Sequence, residues 1–307
     1  MLYLHLDNDL PRWLEAFQQQ RPDLRVVTAN DEFDHAEVRW VAAWNPPEGL
    51  FARFPKLEAV FALGAGVDAF MRRSDLPETV PLMRLLDAGM AQQMVEYILW
   101  AVLTVQRDFD RYQQQQLQQQ WQEQTARSVT EMRLGVLGLG ALGQQVARQL
   151  AGLGYPVTGW KRSSLDLPGV RVLTGDEGFK QLLQTSDVLI SLLPNTPATQ
   201  GMLNADCLGL LPQGAVLVNV ARGVQVVDED LLQLLDNGHL RLAVLDVFHQ
   251  EPLPADHPFW GHPKVVLTPH VAAATLPEPA ITQVLDNLHR LQRGETPRGL
   301  VTGSAGY

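Results

Sequence analysis

The chain has 307 residues, of which 46% are hydrophobic, and a formal net charge of -10. The length favours two domains, and the negative charge argues against nucleic acid and anionic membranes as partners. No apolar run reaches membrane-spanning length, and the first residues lack the basic region and cleavage site of a signal peptide. The single cysteine, Cys207, can form no disulfide within the chain, so we expect a cytoplasmic protein.

The N-terminal third alternates short apolar runs with amphipathic segments and turns. This pattern predicts strands at residues 2–6, 25–28, 37–43, 57–63 and 82–86, and a helix at residues 9–20. Such alternation is typical of helices packed on a parallel sheet. Residues 92–124 are expected to be helical at first. Their glutamine-rich part is interpreted as a solvated helix face, because apolar and charged residues interrupt it.

A second alternation begins near residue 132. It predicts strands at residues 133–137, 157–160, 187–192, 215–219, 242–245 and 265–268, and helices at 143–153, 229–237 and 277–293. The expected fold class is α/β: a doubly wound parallel sheet (Rossmann) nucleotide domain with a smaller flavodoxin-like substrate domain. The final helix is expected to return to the first domain. The predicted domains are therefore residues 1–98 completed by 276–307, and residues 99–275.

A glycine-rich turn, Gly138-Leu139-Gly140-Ala141-Leu142-Gly143, follows one predicted strand and opens a helix. The first glycine allows the tight turn, the second lets a pyrophosphate approach the backbone, and the third lets helix and strand pack closely. The unpaired N–H groups of the helix N-terminus then face the phosphates. This context predicts a dinucleotide site.

The next strand ends at Trp160-Lys161-Arg162-Ser163, where an NAD-preferring site carries an acid for the ribose hydroxyls. Two cations and a hydroxyl suit a 2′-phosphate, which predicts NADPH as the preferred cofactor with NADH possible. The alternative is a solvated basic turn. Leu193 and Pro194 end another strand, either as a wall of the adenine side of the cleft or as an ordinary strand-ending turn.

Arg222, Glu251 and His270 each follow a predicted strand, at the edge where parallel sheets bind ligands. Singly, each is interpreted as an ordinary polar residue. Together they supply the parts needed to reduce a ketone on a carboxylic acid. The cation holds the carboxylate and polarises the carbonyl, the imidazole gives a proton, and the carboxylate keeps that imidazole charged.

Two further sets of residues are less specific. Gly64 and Gly66 follow a strand and would let backbone N–H groups turn toward a small anion, although a simple strand-to-helix turn explains them equally well. His249, His257 and His262 lie in a proline-rich loop without cysteines or an i, i+4 pair, so we expect no metal site.

Together these phrases resemble the D-2-hydroxyacid dehydrogenase family. The glycine turn, Ala221-Arg222-Gly223, residues 245–252 and Thr268-Pro269-His270 match its motifs in order. Residues 61–68, residues 192–197, Ala221-Arg222-Gly223-Val224 and the final Gly306-Tyr307 are similar to the glyoxylate/hydroxypyruvate reductase A branch of that family. The resemblance extends over nearly the whole chain.

The resemblance implies that Arg222 binds the substrate carboxylate and the reacting carbonyl, and that His270 is a general acid paired with Glu251. It also implies a cleft between two domains and a homodimer formed through the nucleotide domain. Further residues implied to contact substrate are Trp44, Gly64, Ala65, Gly66, Val67 and Met90. Residues expected to contact the cofactor, besides those above, are Val220, Ala221 and Asp246, the last of these near the nicotinamide.

The expected function is NADPH-dependent reduction of glyoxylate and hydroxypyruvate. One alternative is a broader reductase of pyruvate or phenylpyruvate-like acids. Another, from a different class, is a nucleotide-sensing binding protein without enzymatic activity. The presence of all three residues Arg222, Glu251 and His270 argues against a sensor, because a sensor needs no acid catalyst.

Overall fold

The computed structural model describes residues 1–71 and 73–302, so the Gly306-Tyr307 phrase lies outside the described residues. The strands are β1 (Leu2–His5), β2 (Val26–Val27), β3 (Trp40–Ala43), β4 (Ala59–Ala62), β5 (Leu82–Arg84), β6 (Leu134–Leu137), β7 (Val157–Trp160), β8 (Arg171–Leu173), β9 (Val188–Ser191), β10 (Ala215–Asn219), β11 (Leu240–Leu245) and β12 (Val265–Leu267). The helices are α1 (Leu10–Gln20), α2 (Met90–Gln106), α3 (Phe109–Leu117), α4 (Ala141–Gly152), α5 (Gly175–Thr185), α6 (Ala205–Leu208), α7 (Asp228–Asp236) and α8 (Pro277–Gln292).

The chain forms two units, and the first comprises Met1–Met90 with Thr275–Tyr307. Its five parallel strands have the order β2-β1-β3-β4-β5, which is the flavodoxin-like order. Strand β4 is buried along its whole length, as expected for a parallel strand covered on both faces. Helix α1 buries Trp13, Ala16 and Phe17, a helical spacing, and contacts α8.

Helix α8 belongs to the first unit although it follows the whole second unit in the chain. Arg12 of α1 donates to the Glu278 carboxylate at 3.2 Å, and Gln20 donates to the Glu278 carbonyl at 2.9 Å. The apolar face of α8, including Ile281, Val284 and Leu288, is buried. Burial of this apolar face stabilises the final helix within the first unit.

The second unit, Ala91–Ala274, has a seven-stranded parallel sheet in the order β12-β11-β10-β9-β6-β7-β8. Counted from β6, this is the doubly wound order 3-2-1-4-5-6 with one strand added after the sixth. The order reverses between β6 and β9, and ligands bind at such a reversal, beyond the carboxyl ends of the strands. The predicted fold class is confirmed.

The boundary between the units differs from the predicted one. The sequence suggested a division after residue 98, which lies inside α2, whereas the structure divides at Met90/Ala91 and Ala274/Thr275. Helix α2 places Val95, Ile98 and Val102 in the core around β6. That shared core keeps α2, from Ala91 onward, with the second unit.

One strand was missed by the sequence prediction. Strand β8 has only three residues, one exposed and two half-buried, which is too few for a visible alternation. Residues 92–124 are helical at first, as predicted, and Asp108, with φ 55°, separates α2 from α3. Most of the α3 glutamines are exposed, as predicted, but Gln115 is buried and its Oε1 accepts the Gln122 N–H at 3.3 Å.

No helix in the part of the chain that the structure describes is long and apolar enough to cross a membrane.

Candidate active site

The glycine turn lies at the carboxyl end of β6. Gly138 has φ +93°, and a Cβ there would lie 2.5 Å from the Leu192 carbonyl oxygen. A Cβ on Gly143 would lie 1.9 Å from the Gly138 carbonyl oxygen, so this glycine allows helix α4 to pack on the strand. A Cβ on Gly140, the N-cap of α4, would meet no atom within 4 Å. The open space at an uncapped helix N-terminus fits a phosphate-bearing cofactor.

The residues between these glycines differ in exposure. Leu139 is fully buried against Gly159 of β7, so its side chain anchors the turn. Ala141 is exposed and Leu142 is half-buried, both in the first turn of α4. Backbone groups of this helix turn therefore remain near the surface, where a dinucleotide can reach them.

The four residues at the end of β7 separate into one anchored and three accessible side chains. The Trp160 indole N–H donates to the Gly175 carbonyl at 2.9 Å, and the ring packs edge-on against Phe179. Lys161 is half-buried, while Arg162 and Ser163 are exposed. Neither cation forms an ion pair with an acidic side chain within residues 1–71 and 73–302. Both positive charges are available to an anionic ligand.

Gln225 is a buried residue that the sequence analysis missed. Its Nε2 donates to the carbonyls of Leu193 at 2.7 Å and Pro194 at 3.2 Å, and its Oε1 accepts from Ser191 at 2.8 Å. This side chain ties the segment after Arg222 to the turn that was expected to line the adenine side. Its only sequence signal was a polar residue in a mostly apolar stretch, Val224-Gln225-Val226-Val227.

Arg222 lies in the loop after β10. Asn219, the last residue of that strand, donates from Nδ2 to the Arg222 carbonyl at 3.0 Å and accepts the Ala221 N–H at 3.2 Å. Val220 and Ala221 are buried, whereas Arg222 is half-buried. The Arg222 guanidinium donates to the Ala221 carbonyl at 2.7 Å. The loop is thus fixed by its own backbone while the cation reaches the surface.

His270 and Glu251 form the central pair. His270 Nδ1 lies 2.7 Å from Glu251 Oε2, and each side chain is 36% exposed. A carboxylate accepts from Nδ1, so that nitrogen carries a proton, and Nε2 is left for exchange with a ligand. No protein partner of Nε2 occurs within the described ranges.

Glu251 is held ionised by its surroundings. Burial opposes its charge, but hydrogen bonds from His270 and from the Phe248 N–H at 2.9 Å, with the nearby charges of His270 and Arg222, outweigh that effect. The pKa of Glu251 is therefore lowered from its ordinary value. A carboxylate that stays negative at neutral pH favours the imidazolium form of its partner.

Asp246 is buried at 1% exposure and shapes the His270 loop. Its Oδ1 accepts from Thr268 Oγ at 2.6 Å and from the Val271 N–H at 2.8 Å, while Oδ2 accepts the Ala272 N–H at 2.9 Å. The Asp246 carbonyl accepts the His270 N–H at 2.8 Å. The carboxylate that was expected near the nicotinamide is thus engaged by the loop that holds His270 at φ 55°.

Tyr97 of α2 extends this network. Its hydroxyl lies 2.5 Å from Thr268 Oγ, and because Thr268 donates to Asp246, the tyrosine donates to Thr268. Burial raises the pKa of Tyr97 to about 12, so it remains a neutral donor. No local sequence signal marked this residue, because the contact spans 171 positions.

Gly223 brings the Arg222 and Glu251 loops together. A Cβ on Gly223 would lie 1.9 Å from the Phe248 carbonyl carbon, so only glycine permits this approach. The Phe248 N–H donates to Glu251. The glycine after Arg222 therefore lets the two loops pack directly against each other.

In the first unit, Gly64, Ala65, Gly66 and Val67 form the turn after β4. Among the described residues, the backbone N–H groups of this turn donate to no protein group. Trp44 follows β3 and is 40% exposed. Its ring packs on Gly64, where an added Cβ would lie 2.3 Å from the Trp44 Cζ3 atom. Met90 is buried, with its sulfur 3.9 Å from Thr275 Oγ1.

Residues 1–71 and 73–302 contain no group of three His, Cys, Asp or Glu side chains that could hold a metal ion. His249 and His257 lie 3.6 Å and 3.3 Å from the same carboxylate, Asp228, and His262 pairs with Asp236 at 3.2 Å. These histidines have local partners that account for them.

A doubly wound sheet with a glycine turn and a paired acid–imidazole defines, by architecture, a dinucleotide-dependent oxidoreductase. Residues 99–272 match the family model for the NAD-binding domain of D-isomer specific 2-hydroxyacid dehydrogenases. A relative from Serratia proteamaculans, named glyoxylate/hydroxypyruvate reductase A, is 43% identical over 100% of this chain and 99% of its own length.

Two solved structures extend the similarity over the full chain. A D-isomer specific 2-hydroxyacid dehydrogenase from Xanthobacter autotrophicus, in complex with NADPH and MES, has a TM-score of 0.95 at 41% identity and covers 100% of this chain and 99% of its own. An NADPH-dependent glyoxylate/hydroxypyruvate reductase from Sinorhizobium meliloti, in complex with NADP and sulfate, has a TM-score of 0.93 at 32% identity. It also covers 100% of this chain and 99% of its own. The chain belongs to the D-isomer specific 2-hydroxyacid dehydrogenase family.

Proposed function

We propose that this protein reduces small 2-keto acids, glyoxylate and hydroxypyruvate first, with NADPH as cofactor. The observation that carries the proposal is the 2.7 Å pair of His270 and Glu251 in the same unit as the glycine turn. The Serratia relative and the Sinorhizobium structure, both named for glyoxylate and hydroxypyruvate, support this choice of substrates.

NADPH is the proposed cofactor, with NADH as a possible second one. The residues present fit it, because Gly140 faces open space and Lys161 and Arg162 have no acidic partner among the described residues. Backbone groups of Gly140 and the first turn of α4 would hold the pyrophosphate, whereas the Gly138 N–H donates to the Trp160 carbonyl at 3.1 Å and Gly138 would shape the turn. Arg162 would hold the 2′-phosphate with two donors. When bound, this cofactor supplies the hydride. The nearby Leu193, Pro194, Val220 and Ala221 would line its site.

His270 is the proposed general acid, giving its Nε2 proton to the carbonyl oxygen of the substrate. Glu251 stabilises the charged imidazole before transfer. Arg222 is proposed to hold the substrate carboxylate and polarise the carbonyl, because a planar guanidinium matches a carboxylate with two parallel donors. Asp246 takes the role of a positioning residue, since its carboxylate is occupied by the His270 loop.

We assign substrate recognition in the first unit to the turn of residues 64–67, whose N–H groups suit a carboxylate. Trp44 and Met90 are the proposed pocket walls. The first unit is thus the proposed substrate domain and the second the nucleotide domain.

A homodimer in the cytoplasm completes the proposal. Helices α2 and α3 expose Trp100, Leu103 and Phe109, at 44%, 37% and 49%, around a cavity of about 610 Å³. An apolar surface of this kind, rich in large side chains, suits a protein interface. The single half-buried cysteine, Cys207, whose pKa burial raises, is compatible with a reducing compartment.

The test follows the oxidation of NADPH and of NADH with glyoxylate, hydroxypyruvate, pyruvate and phenylpyruvate. We expect the highest kcat/KM for glyoxylate or hydroxypyruvate, and a preference for NADPH of at least about tenfold. A preference for pyruvate or phenylpyruvate would favour the broader reductase. Tight nucleotide binding without turnover of any 2-keto acid would favour a nucleotide sensor and contradict the proposal.

A further inference from the structure

We propose that Arg73 is a positioning residue that holds Trp44 against Gly64 and thereby limits the size of the substrate group carried on C3. This inference rests on the proposed function, because it concerns which 2-keto acids the enzyme accepts. It assigns a role to a residue remote from Arg222, Glu251 and His270 in the chain, in a segment with no recognisable motif. All the contacts involved lie within the first unit.

The Arg73 side chain is only 10% exposed, and all three of its guanidinium nitrogens donate hydrogen bonds. Its Nη1 donates to the Pro46 carbonyl at 2.7 Å, and Nη2 donates to the Pro47 carbonyl at 2.6 Å. Nε and Nη2 also donate to the two oxygens of Asp75, each at 2.8 Å. One planar group therefore binds two consecutive carbonyls and a carboxylate. A lysine ammonium lacks the planar fork of donors that these bonds require.

Asp75 fastens the same loop at a second point. It is 13% exposed, and its Oδ2 accepts the Phe51 N–H at 3.1 Å. The Arg73 guanidinium also lies over the Phe51 ring, 4.9 Å from its centre. The hydrogen bond from Arg73 lowers the pKa of Asp75 against the opposing effect of burial, which keeps this carboxylate ionised. The loop between residues 46 and 51 is thus held at both ends by one ion pair.

This loop needs such an external clamp. Neither Pro46 nor Pro47 has a backbone N–H, so neither residue can donate a hydrogen bond to fix the loop. Asn45, directly before them, has φ +45°, a conformation that a free loop would leave readily. Without Arg73, no group of residues 1–71 and 73–302 would donate to the Pro46 carbonyl, and the Pro47 carbonyl would keep the Leu50 N–H at 3.3 Å.

The clamped loop starts at Trp44. The Trp44 ring occupies the space that any side chain at position 64 would need, because a Cβ there would lie 2.3 Å from the ring. Trp44 is nevertheless 40% exposed. The turn beneath it offers the free N–H groups proposed to bind the substrate carboxylate. In a 2-keto acid, C3 is two bonds from that carboxylate. A rigid indole beside the turn therefore limits what C3 can carry, so small substituents are accepted and bulky ones are excluded.

The experiment compares Trp44→Ala, Arg73→Met, Arg73→Lys and the double variant Trp44→Ala with Arg73→Met. The measured quantity is kcat/KM for phenylpyruvate divided by kcat/KM for glyoxylate. We expect Trp44→Ala to raise this ratio roughly 10- to 100-fold, the range a hydrophobic pocket can discriminate. Arg73→Met should raise it in the same direction, Arg73→Lys less, and the double variant no further than Trp44→Ala, because both changes act through one ring.

Arg53→Met is the matched control. Arg53 also lies over aromatic rings of the first unit, 5.9 Å from Tyr3 and 5.8 Å from Phe54, but within the described part of the chain its side chain donates to neither the Pro46 nor the Pro47 carbonyl. Its removal should leave the substrate ratio unchanged. An equal change with Arg53→Met and Arg73→Met would assign the effect to general loosening of the unit and overturn the clamp. An unchanged ratio in Trp44→Ala, or in folded Arg73→Met, would overturn it as well.

A second measurement does not depend on turnover. The protein contains seven tryptophans, and the fluorine NMR signal of Trp44 in 5-fluorotryptophan-labelled protein is assigned by its loss in Trp44→Phe. We expect Arg73→Met to shift or broaden that signal and Arg53→Met to leave it in place. If Arg73→Met fails to fold, Arg73→Lys and Asp75→Asn carry the same test. A parent enzyme inactive on every 2-keto acid refutes the proposed function, whereas an unmoved Trp44 signal refutes the clamp.

Discussion

Glu251 and His270 are 19 positions apart in the chain and meet at 2.7 Å. Three local interactions support this contact. Gly223 packs directly on Phe248, and the Phe248 N–H donates to Glu251. The buried Asp246 carboxylate accepts hydrogen bonds from the His270 loop. Each interaction fixes one member of the pair without using its reactive atom. This arrangement is what a pre-organised proton donor needs, since the geometry is set before substrate arrives.

His270→Gln tests the proton donor at this scale. Glutamine keeps a similar size and a polar group near Glu251, but it has no titratable proton to give. We expect kcat to fall by about 10²- to 10⁴-fold while the Kd for NADPH changes little. His262→Gln, whose parent residue pairs with Asp236 at 3.2 Å, is the control and should retain activity. Near-normal turnover by His270→Gln would remove the residue from the mechanism.

Glu251→Gln tests the electrostatic half of the pair. If His270 is the proton donor, reduction requires its protonated form, and activity falls as the pH rises. The lowered pKa of Glu251 keeps its charge throughout the neutral range, and a negative charge beside the imidazole favours the protonated form. Removing that charge should move the alkaline limb of the kcat profile to lower pH. An unmoved limb would mean that Glu251 only orients the ring.

The same lowered pKa has a consequence for stability with a defined sign. An acid whose pKa is depressed in the folded state contributes stability above its ordinary pKa and loses that contribution as the pH falls through the depressed value. Glu251 should therefore stabilise the parent at neutral pH and not in strong acid. Urea denaturation of the parent and of Glu251→Gln should differ at pH 7 and converge in the acidic range.

At the scale of elements, the end of β7 is the proposed determinant of cofactor choice. Trp160 is bound by Gly175 and Phe179, so replacing it would remove packing as well as alter the cofactor site. Arg162 is exposed and has no acidic partner among the described residues, so it can be changed without that complication.

Arg162→Ala should raise KM for NADPH by about tenfold to a hundredfold, the value of one charge-assisted hydrogen bond, and leave KM for NADH nearly unchanged. The control is Arg171→Ala, an exposed arginine at the start of the neighbouring strand β8. Equal use of NADH and NADPH by the parent would make the two cations of this turn a solvated patch and refute the assignment.

A second element-scale prediction concerns the junction between α2 and α3. Arg241 of β11 contacts Asp108 at 2.7 Å and Asp110 at 2.5 Å, and all three side chains are at most 14% exposed. Arg241→Ala would leave Asp110 without this partner, whereas Asp108 keeps Arg111 at 3.4 Å and Arg127 at 3.5 Å, so the cost should be about 3 kcal/mol, the lower end for breaking a buried pair. Urea denaturation measures this loss. Arg107→Ala, at an exposed position in the same segment, should cost less than about 0.5 kcal/mol.

At the scale of the whole molecule, the exposed face of α2 and α3 bears on assembly. Light scattering should give about twice the protomer mass of 34.1 kDa if this face joins two copies. Trp100→Glu with Leu103→Glu would put two charges into the interface and should shift the mass toward one protomer. Leu153→Glu, at a site 51% exposed directly after α4, should leave the mass unchanged. A monomeric parent would refute the homodimer.

Much of this molecule is encoded locally. Strand β7 and the turn from Gly138 to Gly143 were predictable, because alternation and glycine spacing are properties of neighbouring residues. The three residues Arg222, Glu251 and His270 were recognisable for a related reason. The carboxyl ends of parallel strands share one edge, so polar residues just after such strands come together in any doubly wound sheet.

Other features were decided only by tertiary structure. The sequence did not indicate that the Asp246 carboxylate accepts hydrogen bonds from the His270 loop. These bonds form because β11 and β12 lie side by side in the sheet. Tyr97, Gln225 and the Arg73 clamp carry no motif, and most of their partners are distant in sequence or are backbone carbonyls. Every residue offers a backbone carbonyl, so a side chain that donates to one acquires its role only when the chain is folded.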